Sequence, residues 1–318
     1  MVFMGIWMAG WVVSSGAEDL EVTAKSFAIM DAKTGQMLLA YNPQLMQPPA
    51  STLKIMTAMY VVEKLGMDDQ VPVSPYAAAA PPSKICIKPG DVFTVRELLY
   101  ALLLSSANDG ARALAERVSG SETVFAKELT QKVRQWGAYR TTLANANGLP
   151  ADNQYSTTQD LAILFRRALE NPDLAKIMAT KNFNIRGDRE LRNHDRFLFT
   201  TPLAAGGKTG FTRASKHTYV GHFRYQDKDI IIAMMGSSRK WADLRTLIHK
   251  GFEVSGAPIV KLEAQEEKLW FAKKHQGKYA GSGKKKGRLK RQQSLSRVDM
   301  GSIASLPAKK KSKKKVVR

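Results

Sequence analysis

The chain has a single cysteine, Cys86, in 318 residues, so an intramolecular disulfide, a CxxC metal site and a redox thiol pair are all excluded. Its five histidines show no metal-ligand spacing. The one close pair, His217 and His222, sits five apart in an alternating strand pattern and would face opposite sides of it, so neither a metal nor a cofactor is expected. No apolar run reaches the length of a membrane-spanning helix. Basic residues are missing before Lys25, and acids are nearly missing from the C-terminus. Residues 268–318 hold eighteen Lys or Arg against the one acid Asp299.

What is present divides the chain unevenly. A composition of 44% hydrophobic and 24% charged residues suits a globular protein with a sizeable core. Of the formal net charge of +21, the C-terminal stretch carries +17, which leaves a near-neutral body. The first seventeen residues, MVFMGIWMAGWVVSSGA, are apolar and uncharged and end in small residues, the pattern of a secretory signal peptide. We therefore expect a signal segment at 1–17, a catalytic body at 18–260 and a basic, disordered tail at 261–318, in an exported protein.

Periodicity gives the body a mixed α/β (α+β) character. Residues 25–41 alternate on either side of a turn and read as an opening hairpin. A helix is expected from about Ser51, with that serine at its N-cap. Two helices over 93–118 are separated by Ser-Ser-Ala-Asn-Asp-Gly, and further helices fall at 121–136 and 157–170. Past Gly207 the pattern turns to strands, followed by one helix, KWADLRTLIHKGFEV. Strands at both ends of the body imply an antiparallel sheet assembled from the two termini, packed with helices and carrying a helical lobe.

Three short motifs carry the chemistry: Ser51-Thr52-Leu53-Lys54, Ser106-Ala107-Asn108 and Lys208-Thr209-Gly210, separated by about fifty and then about one hundred residues. A three-residue helical spacing brings the Ser51 hydroxyl and the Lys54 amine to one face. Burial beside Lys208 would lower the pKa of Lys54 and let it accept the serine proton. Ser106 is placed to relay a proton to a leaving amine, and the Asn108 amide to hold a substrate backbone. Lys208 and Thr209 on an edge strand suit an anionic group, while Gly210 lets a peptide approach the strand. The N–H groups of Ser51 and Phe211 would form an oxyanion hole. Singly, each motif also reads as a capping serine, a turn between helices or a hairpin turn.

These motifs and the text around them, PPASTLKIMTAMYVVEKL, IKPGDVFTVRELLYALLLSSANDGARALAERVSG, NGLP with YSTTQDLA, and GGKTGFT, resemble the low-molecular-weight penicillin-binding proteins, the serine-type D-alanyl-D-alanine carboxypeptidases. The resemblance spans residues 25–254. It implies a β-lactamase/transpeptidase-like fold and cleavage of the terminal D-alanine from peptidoglycan stem peptides through an acyl-enzyme on Ser51. It also implies β-lactams as covalent inhibitors. Arg239 lies near a family arginine that assists carboxylate binding, and reads equally as a solvated surface charge. The chain departs from the family at Asn145-Ala146-Asn147-Gly148-Leu149, where Asn-Pro-His-Gly-Leu is common, and at Gly110, where alanine is usual.

A β-lactamase would need a glutamate-bearing loop, for which Glu170-Asn171-Pro172 is a poor match. A peptidoglycan DD-endopeptidase shares all three motifs. An inert protein that binds the wall or a polyanion through its tail is the reading from another class. In an exported protein the tail would meet an anionic membrane surface or wall polymer, and no nucleic acid is expected.

Overall fold

The computed structural model describes residues 20–187 and 189–257. The expected signal segment and basic tail lie outside the described residues. The hairpin read from residues 25–41 forms β1 (Ser26–Asp31) and β2 (Met37–Tyr41). Asp31 closes it, its carboxylate accepting from the N–H groups of Lys33 and Thr34. A 3-10 turn, Ala50–Leu53, runs directly into α1 (Lys54–Lys64).

Between the hairpin and the remaining strands the chain is mainly helical. β3 (Gln70–Pro72), α2 (Pro75–Ala78) and β4 (Val92–Thr94) form a small ribbon with one helical turn. α3 (Val95–Leu104) opens with a capping box between Thr94 and Glu97, which satisfies its first free N–H groups. The polar cluster after it breaks the helix as the sequence predicts, and α4 (Asn108–Ser119) begins at once. α5 (Glu122–Gln135), α6 (Thr158–Leu169) and α7 (Pro172–Ala179) are capped by the side chains of Ser121, Thr157 and Asn171. A second ribbon, β5 (Asn182–Ile185) with β6 (Arg189–Arg192), and the short α8 (Phe197–Thr200) complete the lobe.

Three long strands, β7 (Ala204–Thr212), β8 (Lys216–Tyr225) and β9 (Lys228–Ser237), then join the opening hairpin in an antiparallel sheet of order β2-β1-β9-β8-β7. The N-terminal strand thus pairs with the last strand, as expected for a sheet built from both ends of the body.

Alternation along the strands gives the sheet two apolar faces. Met30, Val220, Ile231, Ala233 and Met235 face the helical lobe. Phe27, Ile29, Tyr219, Phe223 and Ile232 face α9 (Lys240–Val254), which lays Leu244, Leu247, Ile248 and Phe252 against them. Among the described residues the result is three layers, with β7 as the edge strand beside the 3-10 turn. Phe252 is fully buried at this seam. Phe252→Ala is expected to lower unfolding free energy by about 3–5 kcal/mol, read from urea unfolding of the purified protein.

Candidate active site

Ser51 and Lys54 are held by the turn that enters α1. Their three-residue spacing brings Lys54 Nζ to 3.0 Å from Ser51 Oγ. The N-cap role expected for Ser51 does not hold. The 3-10 turn begins one residue earlier, no side chain caps it, and the Ser51 hydroxyl faces Lys54 instead. Ala50, just before it, adopts φ +50°, a conformation an alanine adopts only under strain.

Lys54 is completely buried, and its amine meets two further oxygens: Asn108 Oδ1 at 2.7 Å and the backbone carbonyl of Asn147 at 2.5 Å. Asn108 Nδ2 donates to the Pro81 carbonyl at 3.0 Å, which fixes the amide so that its oxygen faces Lys54. Carbonyl oxygens only accept. In a neutral amine both N–H bonds therefore go to Asn108 and Asn147, and the lone pair is left for the Ser51 hydroxyl. Asn108, expected to grip the substrate backbone, is engaged at both ends of its amide by Lys54 and Pro81.

Electrostatics favour the neutral amine. Burial, followed by the charge of Lys208, holds Lys54 well below the ordinary lysine value, while Glu122 and Asp109 pull the other way. Lys208 is pushed down to about 7 by burial and secondarily by Lys240, with Asp195 opposing. Two lysines share one buried region, and the charge of Lys208 adds to the burial that lowers Lys54.

The other expected residues surround this pair. Ser106 turns through φ +60° between α3 and α4, and its buried hydroxyl has no hydrogen-bond partner among the described residues. Lys208 and Thr209 are buried on β7, with Lys208 Nζ donating to the Thr209 carbonyl at 2.9 Å. Gly210 is required by contact: a Cβ there would stand 2.9 Å from the Ser51 nitrogen and 2.3 Å from Thr218 Oγ1. The edge of β7 can therefore abut the Ala50–Leu53 turn, which brings the Phe211 strand segment beside the Ser51 N–H. Phe211 itself is 57% exposed and packs its ring on His217 at a centroid distance of 4.7 Å.

Arg239 stands apart from this group. It is exposed at the N-cap of α9, where its backbone N–H donates to Thr23 Oγ1 and Ser237 Oγ. The cation that acts on Lys208, His217 and Asp195 is the next residue, Lys240. Sequence reasoning missed Lys240, and it missed the carbonyl of Asn147, a backbone atom with no side-chain signature. It also missed Asp195, which is buried and accepts from the Tyr219 hydroxyl at 2.8 Å beneath Lys208. The departure at Asn145–Leu149 marked the right loop without showing its role. Among the described residues no cluster of three or more His, Cys, Asp or Glu could hold a metal.

Comparison with known proteins places this geometry in context. The family model described as D-alanyl-D-alanine carboxypeptidase matches residues 13–239. A D-alanyl-D-alanine carboxypeptidase of Mycobacterium tuberculosis is 32% identical over 243 residues, covering 73% of this chain and 83% of the relative. One from Bacillus subtilis is 31% identical over 229 residues, covering 69% of this chain and 59% of the longer relative. The crystal structure of a penicillin-binding protein from Listeria monocytogenes, in its cefotaxime-bound form, superposes with a TM-score of 0.66 at 26% identity. That match covers 74% of this chain and 99% of the other.

The loop that carries the Asn147 carbonyl depends on Gly148, whose φ is +83° and whose added Cβ would lie 2.0 Å from the Ala50 carbonyl oxygen. Gly148→Ala is expected to push the loop from the Ala50–Leu53 turn, costing about 1–3 kcal/mol from the backbone conformation alone. A lowered thermal midpoint together with a longer Lys54 Nζ to Asn147 carbonyl distance in the variant's crystal structure is the expected outcome.

Proposed function

This chain belongs to the D-alanyl-D-alanine carboxypeptidase family, and on that premise we propose that Ser51 is its nucleophile and Lys54 the base that activates it. The reaction is serine-type hydrolysis of the terminal peptide bond of a peptidoglycan stem peptide ending in D-Ala-D-Ala. The observation that carries this reading is the buried Lys54 amine, held by two carbonyls with its remaining valence toward Ser51 Oγ.

The steps follow from the site. Lys54 takes the Ser51 proton as Oγ attacks the carbonyl carbon of the penultimate D-alanine. The oxyanion is met by the N–H groups of Ser51, in the 3-10 turn, and Phe211, on β7. As the C–N bond breaks, the proton passes from Lys54 through the Ser106 hydroxyl to the leaving D-alanine nitrogen. Water then attacks the Ser51 ester, Lys54 takes its proton, and Ser51 Oγ leaves with a proton returned. A β-lactam enters by the same first step, opening its ring amide and leaving an ester on Ser51.

The terminal carboxylate of the substrate is bound by Lys208, Thr209 and Lys240. The positive end of α9 lies beside Lys240, so a helix N-terminus and two cations converge where an anion lowers the energy of all three. This assigns to Lys240 the role that the sequence offered to Arg239.

Glu170, the candidate for a β-lactamase-type carboxylate, lines a surface cleft with Glu63 and Trp136 at the C-terminal end of α1. Ser51 precedes the other end of that eleven-residue helix, about 15 Å away. That distance favours the carboxypeptidase reading over a β-lactamase.

No helix of the described residues is long and apolar enough to cross a membrane. The substrate belongs to the cell wall, so the protein acts after export, in the periplasm or at the outer face of the cytoplasmic membrane. The signal segment 1–17 fits that route. The basic tail, 261–318, is assigned to an anionic membrane surface or wall polymer on its charge.

Incubation with a peptide ending in D-Ala-D-Ala is expected to release one D-alanine per peptide, and Ser51→Ala to release none. Internal cross-link cleavage without terminal release would instead establish an endopeptidase. Lys240→Ala is expected to raise KM about tenfold or more, as for loss of a charged hydrogen bond, while Arg239→Ala changes it less than about twofold. The reverse order would restore Arg239 as the carboxylate partner.

A further inference from the structure

Glu122 occupies the first turn of α5, a position where a carboxylate ordinarily faces water and the helix dipole. Here it is only 6% exposed. Its Oε1 accepts from the Ala146 N–H at 3.0 Å and from Asn147 Nδ2 at 2.9 Å. Its Oε2 accepts from the Tyr76 hydroxyl at 2.5 Å and lies 3.2 Å from Arg112 Nε, an ion pair whose angle falls short of a hydrogen bond. Arg112 in turn stacks 4.2 Å from the Tyr76 ring centroid and donates to the Tyr76 carbonyl. Helices α2, α4 and α5 and the Asn145–Leu149 loop thus converge on one carboxylate.

Burying a carboxylate costs desolvation energy, so an arrangement of this kind is explained by what it holds in place. It holds Asn147. The side chain of that residue is gripped by Glu122, and its carbonyl is one of the two oxygens that take the N–H bonds of Lys54. Thr57 Oγ1, donating to the Ala146 carbonyl, ties the same loop to α1. None of the three sequence motifs contains Glu122, Arg112 or Asn147.

We infer that Glu122 is a positioning residue for the base: by gripping the Asn147 amide and the Ala146 N–H it fixes the Asn147 carbonyl, which aims the Lys54 lone pair at Ser51. This rests on Lys54 being the base. The charged groups that act on Lys54 are Lys208 from β7, Asp109 from α4 and Glu122 from α5, and the two carboxylates oppose the depression caused by burial and Lys208. Glu122 itself faces the Arg112 guanidinium and the neutral Tyr76 hydroxyl. Position and charge can be separated. Glu122→Gln removes the charge and replaces one of the two accepting oxygens with a donor, which loosens the hold on the loop, whereas Asn147→Ala keeps the charge and removes the grip.

The experiment measures kcat and KM for D-alanine release across pH in the wild type and both variants. Alongside it, the lysine 13Cε resonance of Lys54 is titrated by NMR, with thermal midpoints to confirm folding. Both variants are expected to lose kcat by about 10- to 100-fold, the scale of a misaligned reacting group, with KM changed less than about threefold. In Glu122→Gln the acid limb of kcat and the Lys54 midpoint both move to lower pH, because a negative charge that favours the protonated amine is gone. In Asn147→Ala the Lys54 midpoint stays close to that of the wild type. Unchanged kcat in either folded variant overturns the inference. The NMR titration needs no turnover, so an inert wild type counts against the functional reading alone.

Discussion

The structure turns on a single buried amine. Lys54 sits without solvent contact, yet its nitrogen is surrounded by three oxygens at hydrogen-bond distance. A charged ammonium there would bear the cost of burial and of the neighbouring Lys208 together. A neutral amine bears neither and has two acceptors for its two N–H bonds. Everything around it serves that arrangement: α4 supplies Asn108, the Asn145–Leu149 loop supplies a carbonyl, and β7 supplies the second lysine.

The two-part architecture makes the convergence possible. Ser51 and Lys54 open the helix of the lobe that follows the hairpin, whereas Lys208 to Phe211 lie on the edge strand of a sheet completed more than a hundred residues later. Gly210 lets these parts touch, since any side chain there would collide with the Ser51 nitrogen and Thr218. On its outer side the edge strand meets the 3-10 turn and α7, and its residues Gly206 to Gly210 are buried.

The geometry of the candidate site was legible in the sequence where it is local. Ser51 and Lys54 are one helical turn apart, and the break around Ser106 is written in turn-forming residues. The opening hairpin, α3 to α6, the last two strands and α9 likewise follow from periodicity. The rest depended on long-range placement. Asn147 contributes a backbone oxygen, which no side-chain motif reports. Glu122 reads in sequence as an ordinary first-turn acid, and only packing reveals that it is buried among Tyr76, Arg112 and the loop. Arg239 and Lys240 are adjacent, and the start of α9 decides which of them faces Lys208. The small ribbons and α2, α7 and α8 were not read from the sequence, because three- or four-residue strands and single turns carry too little periodicity to stand out.

The central claim, that Lys54 is the neutral base for Ser51, is tested most directly by the pH dependence of acylation. The rate of penicillin adduct formation would be followed by intact-protein mass spectrometry from about pH 6 to about pH 10, a range that brackets the ordinary lysine titration. A neutral Lys54 gives an acylation rate whose rise is complete well below 10.5, the ordinary lysine value, with the adduct mapped to Ser51. A rate that keeps climbing toward pH 10, or an adduct that survives in Ser51→Ala, would contradict it.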